Sequence, residues 1–431
     1  MPLPESSSPK ITLYPDTSTT ILKQADVIQS PKKILTLLGF GTAISLLGDA
    51  TLYTVLPNPA IAAQVGVTLA MVGILLGTNR AIRLLLNGPM GLLIDKLPRR
   101  GLLITSLALG TMANLSYVIG HGFWPMMIGR ILWGIAWSML WITGNAVVLD
   151  ISTHKNRGKF SGQYQMWFAI GIAASSFTGG LLTDLLGFKG AMSLTSGVIG
   201  ATTLLWFFFL PETRKDAEPA AVTKSDKKKT PWKLVFTLSV PVFVSRFISW
   251  GVLASTSILW LSTFVGNGLQ LTNFYIPLAT LTGAFTAFTM LTNIGSAPLA
   301  GFLSDRIGRR WPILSVAALL GAVGIWLMSS TWLLLALAGA LLAQITGGST
   351  ETLIPAIAGD RIEKDAHGRV LGIVYTFGDL GSTLGPPAAL GLLNAGHINI
   401  PTIYRFSALL FLGIAAFSLL QIKKRIAPHN T

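Results

Sequence analysis

Apolar residues in this chain come in long unbroken runs, not in the three-and-four spacing of a surface helix or the alternation of a half-buried strand. Windows of about 19 residues find about twelve runs, each with the roughly 20 residues needed to cross a bilayer as a helix. The first covers 34–57, the eighth 272–304 and the last 400–422. Ten-residue segments of alternating polarity are absent, so the runs predict helices and not a transmembrane barrel. Three polar stretches interrupt the pattern. Residues 1–31 are rich in Ser, Thr and Pro and predict a disordered tail. PETRKDAEPAAVTKSDKKKTPWK, residues 211–233, begins with Pro, is rich in Lys and predicts a flexible linker, and 424–431 forms a second tail. The expected fold class is an all-α polytopic membrane protein, with twelve transmembrane helices in six-helix bundles at 32–210 and 234–423.

Composition agrees with the pattern: 51% of the 431 residues are hydrophobic and 11% charged. A net charge of +15 raises the question of nucleic acid, but the placement of the charges argues against it. With loops assigned alternately to two sides, Lys32, Lys33, Lys155, Lys227 to Lys229 and Lys423 to Arg425 fall on the side of the termini, and only Lys189 lies in a loop on the other. That asymmetry follows the positive-inside rule and predicts a multi-pass protein of the plasma (inner) membrane with both termini cytoplasmic. Cysteine is absent, which excludes disulfides and thiolate metal sites. The runs contain no paired-His, HExxH, GxSxG or Walker A element, so no enzyme, ATP-driven pump, metal or cofactor is predicted.

One charged segment occurs twice. GLLIDKLPRR (91–100) and GFLSDRIGRR (301–310) share Gly, Leu, Asp and paired Arg at a shift of 210 residues. The same shift superposes Gly158, Gly162 and Gly171 on Gly368, Gly372 and Gly381, and Asp150 on Asp360. A constant shift without gaps predicts two six-helix halves in the same orientation.

These segments resemble the G-x-x-x-D-[RK]-x-G-[RK]-[RK] loop of the major facilitator superfamily, and the resemblance covers nearly the whole chain. Gly301, Asp305, Arg306, Gly308, Arg309 and Arg310 match throughout; Gly91, Asp95, Lys96, Arg99 and Arg100 match, with Pro98 replacing the second Gly. The resemblance implies a conformational gate at Gly91, Asp95, Arg99, Arg100, Gly301, Asp305, Arg309 and Arg310, bridging the halves while the cytoplasmic side is shut. Gly91 and Gly301 would permit close helix approach, and each Asp would meet a neighbouring helix N-terminus or a nearby Arg. The alternative is that the basic residues only anchor a tight loop.

Seven ionisable residues lie well within the runs: Asp49, Arg80, Arg83, Arg130, Arg246, Glu351 and Asp379. A charge at the bilayer centre costs about 2.5–3.5 kcal/mol even on the lenient insertion scale, so each is expected to face protein or a wet cavity. Helices 1, 4, 7 and 10 carry Asp49, Arg130, Arg246 and Glu351, and the resemblance implies that these helices line a central cavity. Arg80 and Arg83 share a helix face, with Asp49 as their expected partner. That group reads either as an ion cluster fixing helix packing or as a coupling site.

RILWG resembles the family's R-x-x-Q-G element, with Trp133 at the Gln, and implies a proton-coupling role for Arg130. Helix 5 keeps Gly171, Gly179 and Gly180 of the drug:proton antiporter element but has Ser175 and Ser176 at its Gly-Pro pair. The expected proton-coupling set is Asp49, Arg130, Glu351 and Asp379. The expected substrate-binding set is Arg80, Arg83, Trp137, Trp141, Asn145, Arg246, Trp250, Gln344 and Tyr375. Trp133, Trp137 and Trp141 recur every fourth residue, a stripe that either stacks a flat substrate or packs against helix 2 or lipid.

The predicted function is alternating-access transport of a small molecule, as proton-coupled efflux of the multidrug type. The alternative is proton-coupled uptake or exchange of an organic anion or lipid-like metabolite. Expected partners are the substrate, protons and the bilayer, with no nucleic acid, for a monomer. Four Arg against three acids leave the sign of the substrate open.

Overall fold

Hydrocarbon offers backbone N–H and C=O groups no water, so apolar runs of this length satisfy those groups internally as helices. The computed structural model describes residues 30–94, 96–153, 156–214, 231–362, 364–396 and 398–426. Residues 1–29 of the predicted tail (1–31) and the central part of the linker (215–230) lie outside these, as does Asp95, whereas Pro31 already begins the first helix. Helices α1 to α4 are Pro31–Val55, Leu69–Ile94, Arg99–Ile119 and Phe123–Ile151. One long element, Arg157–Phe209, breaks at Gly187, whose φ of 71° no helix allows, into arms α5 (157–186) and α6 (188–209). The second series comprises α7 Trp232–Val265, α8 Leu278–Ile307, α9 Arg310–Met328, α10 Leu333–Gly359, α11 Lys364–Asn394 and α12 Ile400–Ile426. This is an all-α, integral multi-pass membrane protein. The outward helix faces expose large apolar side chains such as Leu85, Phe208, Leu334 and Leu409, as lipid requires.

One element differs from the sequence expectation. The eighth run was expected to begin its helix at 272, yet Gly268–Leu271 (β1) and Phe274–Pro277 (β2) form an antiparallel ribbon first. Thr272 and Asn273 make the turn, and Pro277 precedes the first helical residue, where its fixed φ and missing N–H are tolerated. Hydropathy registers burial in lipid but is blind to this change of backbone.

Each set of six repeats one packing scheme. α3 packs on α4 and α6, α9 on α10 and α12, α2 on α4, and α8 on α10. Between the sets, α2 packs on α11 and α5 on α8. These crossings concentrate at the end remote from the termini. There the apolar cluster of Leu52, Val55, Leu75, Leu76 and Phe188 also contains Ala279 and Leu390 from the second six helices. A Cβ on Gly180 would land on the Ala279 carbonyl, and one on Gly73 would reach 2.8 Å from the Pro387 Cα. Toward the terminus-bearing end of the same helices, Gly91, Gly162, Gly295 and Gly372 would meet nothing within 4 Å. The two sets are therefore sealed at the far end and part at the other.

A polar contact secures the seal. The Asp184 carboxylate, at the end of α5, accepts hydrogen bonds from the Thr280 backbone N–H and hydroxyl, each at 2.6 Å. Thr280 lies in the first turn of α8, a helix whose own Pro277 supplies no side-chain cap, so an acid of one set caps a helix of the other. Asp184→Ala removes both bonds and is expected to raise far-side opening by roughly tenfold. Faster labelling of a single cysteine at Ser257 by an impermeant maleimide from the far face reads this out; unchanged labelling would show that the apolar cluster alone holds the seal.

Candidate functional site

α1 is irregular where its charge sits. The helix breaks at Leu46, and Asp49 falls in the first turn of the second segment, where the helix dipole favours a carboxylate. Its Oδ1 accepts from Arg130 Nη1 of α4 at 2.6 Å and from Asn79 Nδ2 of α2 at 3.1 Å. Arg130 is fully buried, donates through Nε to the Leu75 carbonyl at 3.0 Å, and lies 5.7 Å from the Tyr53 ring. Tyr53 donates its hydroxyl to the Leu76 carbonyl at 2.8 Å. One ion pair thus ties α1, α2 and α4 together.

A second group occupies the middle of the other six helices. Arg246 of α7 donates to both oxygens of Glu351 of α10 at 2.7 and 3.1 Å, and through Nη1 to Asp379 of α11 at 2.9 Å. Its guanidinium lies 5.1 Å from the Tyr375 ring. Immediately after Arg246, residues Phe247–Leu253 are wound as a π-helix. Such widened turns gather at functional sites. This one changes the angle between Arg246 and Trp250 from that of an α-helix, and Trp250 reaches across to the first six helices, 5.7 Å from the Arg80 guanidinium. A second bridge joins the sets where Arg83 Nη2 lies 3.6 Å from Asp379 Oδ1.

The partner expected for Arg80 and Arg83 is corrected by this geometry. Asp49 is held by Arg130 and Asn79, so the α2 arginines turn toward the opposite helices. Arg83 finds Asp379, whereas Arg80 has no carboxylate within 4 Å among the described residues. Sequence spacing shows which charges share a helix face but not which helix lies opposite.

The tryptophan stripe divides. Trp133 and Trp137 are buried in the core of the first six helices, although Trp137 also lies 6.0 Å from the Arg83 guanidinium. Trp141 stacks between Trp137 and Tyr164 at centroid distances of 5.5 and 5.6 Å. Asn145 spends its amide donor on the Trp141 carbonyl at 2.7 Å, a bond within its own helix. Gln344 and Trp250 line a cavity of about 70 Å³ together with Ile172 of α5 and residues of α7, α8 and α10. Among the described residues, no three His, Asp or Glu side chains converge as a metal set.

At the terminus-bearing end, the described ion pairs of the duplicated turn close within each set of helices. Arg99 Nε lies 3.4 Å from Asp150, and Arg310 donates to Asp305 at 3.0 Å and to Asp360 at 2.7 Å. The duplicated acids Asp150 and Asp360 therefore hold the ends of α4 and α10 to the turn. The close helix approach expected at Gly91 is absent, and Gly301 has only the Thr352 methyl at an ordinary 3.4 Å. The bridge between the halves was expected for a shut terminus-bearing end, and that end is parted here. The linker residue Glu212 was missed: it accepts the backbone N–H groups of Arg99 and Arg100 at 3.0 Å each, capping α3. Asn79 and Tyr53 were also missed, being uncharged, as was Asp184, which sits at the very end of its apolar run.

The comparisons with known proteins come from distant relatives that span most of the chain. An uncharacterized MFS-type transporter of Methanocaldococcus jannaschii is 24% identical, covering 85% of this chain and 93% of its own. A probable 4-methylmuconolactone transporter of Cupriavidus pinatubonensis is 24% identical over 84% of each chain. A class H tetracycline resistance protein of Pasteurella multocida is 23% identical over 83% of this chain and 87% of its own. Among solved structures, a bacterial homolog of the human lysosomal transporter Spinster, inward-facing and occupied, superposes with a TM-score of 0.73 at 16% identity, covering 91% and 97% of the two chains. The model of the Major Facilitator Superfamily matches residues 38–295 and 272–430, and with this fold and these paired charges in view, the chain belongs to that superfamily.

Proposed function

We propose that this protein is a proton-coupled exporter of a small molecule working by alternating access, a transporter and not an enzyme. The observation that carries the reading is the layer of charged side chains lying between two six-helix sets that, among the described residues, share an apolar core only at one end. Charges at that depth are tolerated where they pair or border water. The Lys and Arg asymmetry supports placing both termini in the cytoplasm of an inner membrane, which makes the parted end an inward opening. Tetracycline and multidrug resistance proteins among the relatives support export.

Asp49 is the residue proposed to carry the proton. Taking one up removes the negative partner of a buried Arg130 and loosens the tie from α1 and α4 to α2, one of the four helices that build the seal. Release of the same proton to the cytoplasm restores the pair. Glu351 and Asp379, both held by Arg246, form the corresponding group in the other six helices.

The test is reconstitution into liposomes with an imposed pH gradient, following substrates chosen by thermal-shift screening. Asp49→Asn is expected to cut gradient-driven movement by about tenfold or more while the variant still inserts and exchanges substrate in the absence of a gradient. A full response to the gradient in that variant would remove Asp49 from the coupling role.

A further inference from the structure

Three arginines and two acids meet where the helix sets face each other: Arg80, Arg83 and Arg246 against Glu351 and Asp379. Asp49 and Arg130 neutralise one another apart from these. Glu351 is engaged on both oxygens by Arg246, and one Asp379 oxygen is shared by Arg246 and Arg83. The surplus positive charge therefore resides on Arg80. Its Nε is shielded from solvent and has no hydrogen-bond partner, and its guanidinium has the Trp250 ring beside it. A guanidinium so placed keeps a strong unspent preference for a planar anion.

Trp250 is also a wall of the cavity described above, which is lined largely by apolar side chains, among them Ile172, Leu253, Phe285 and Met290. The Ser249 hydroxyl, also on that wall, is buried without a partner. Charge and apolar surface thus adjoin across one indole ring.

We propose that the substrate is an amphipathic organic anion, its carboxylate or equivalent acidic group held by Arg80 and its apolar body lying along Trp250 into this cavity. The proposal rests on the transport reading and gives that reading a substrate class. Binding neutralises the surplus charge, and because Arg80 and Trp250 belong to opposite helix sets, the ligand spans the plane on which those sets move. A cation of the same shape meets an uncompensated guanidinium.

The experiment uses the purified full-length protein in nanodiscs and three isosteric probes: 2-naphthoate, 2-naphthylmethanol and 2-naphthylmethylammonium. Calorimetry is expected to show naphthoate binding at least about tenfold tighter than either other probe, with Arg80→Gln removing that preference and Arg80→Lys retaining part of it. Equal or tighter binding of the ammonium compound, no binding of naphthoate, or an unchanged preference in Arg80→Gln would each overturn the proposal.

A measurement without any ligand tests the same premise. Arg80→Gln is expected to raise the apparent melting temperature of the unliganded protein by removing an unmatched charge, whereas Arg83→Gln lowers it by taking a partner from Asp379. A fall in both overturns the premise. Naphthoate binding that responds to Arg80 while pH-driven transport is absent leaves this inference standing and sinks the transport reading; pH-driven transport of a cation does the reverse.

Discussion

Arg246→Ala is expected to be among the most destabilising single substitutions in this chain, costing about 3 kcal/mol, the low end for breaking a buried ion pair. The guanidinium makes three charge-assisted hydrogen bonds, two to Glu351 and one to Asp379, and so joins α7, α10 and α11 at mid-depth. Its loss leaves Asp379, 5% exposed, with only the longer contact to Arg83, while Glu351, whose side chain is 37% exposed, regains some water. That hydration is why the low end of the range applies. Thermal unfolding in detergent is the measurement, and the expected result is a clear drop in melting temperature with a loss of monodisperse protein. Arg246→Lys is expected to rescue little, since an ammonium cannot present parallel donors to one carboxylate. The double substitution Arg246→Met, Glu351→Gln is expected to recover much of the loss, because both members of that pair become neutral while Asp379 keeps Arg83 as its partner. A melting temperature unchanged in Arg246→Ala would mean that water, not Arg246, already satisfies the acids.

Gly180→Val should act on the conformational equilibrium instead of on stability within one set of helices. A side chain at Gly180 would occupy the position of the Ala279 carbonyl, a backbone atom at the start of α8 that has no rotamer by which to yield. Overpacking of this kind costs about 1–3 kcal/mol. Here it burdens only the conformer in which α5 touches α8 at the far end. Relief comes by parting that end, so the population moves toward far-side opening by roughly 5- to 150-fold. The chain has no cysteine, so spin labels can be placed at Gly162→Cys and Gly295→Cys without altering a background. Both positions are open at the terminus-bearing end of the same two helices. Electron–electron distances between them are expected to shorten in Gly180→Val as that end closes. An unchanged distribution would show that the two ends do not open in alternation.

Much of the site was legible because the bilayer makes charge conspicuous. Asp49, Arg130, Arg246, Glu351 and Asp379 stand out in apolar runs, and each is found paired. Their pairing was not legible. Asp49 lies one helix before Arg80 and Arg83, yet it joins Arg130, more than eighty residues away, because Arg130 of α4 and Asn79 of α2 reach its segment of α1 while Arg80 and Arg83 turn to the other six helices. Trp250 follows Arg246 by four residues, the spacing of one ordinary helical turn, and the π-helical turn found there carries no hydropathy signature. Asn79 and Tyr53 were passed over because neutral side chains cost too little in a membrane to attract notice.

The sequence by itself determined the class of molecule. The length of each apolar run dictates a helix that can cross a bilayer, the shift of 210 residues between the charged turns exposes a repeat, and the turns themselves point to a superfamily. All of these are properties of neighbours along the chain, where residue order alone sets the energy. The tertiary structure alone decided which end of the two helix sets is sealed, which arginine lacks an acid, and that an acid of α5 caps α8. Those outcomes depend on contacts between helices far apart in the chain, where a small residue such as Gly180 or a few ångströms of separation selects one partner over another equally apolar or equally charged.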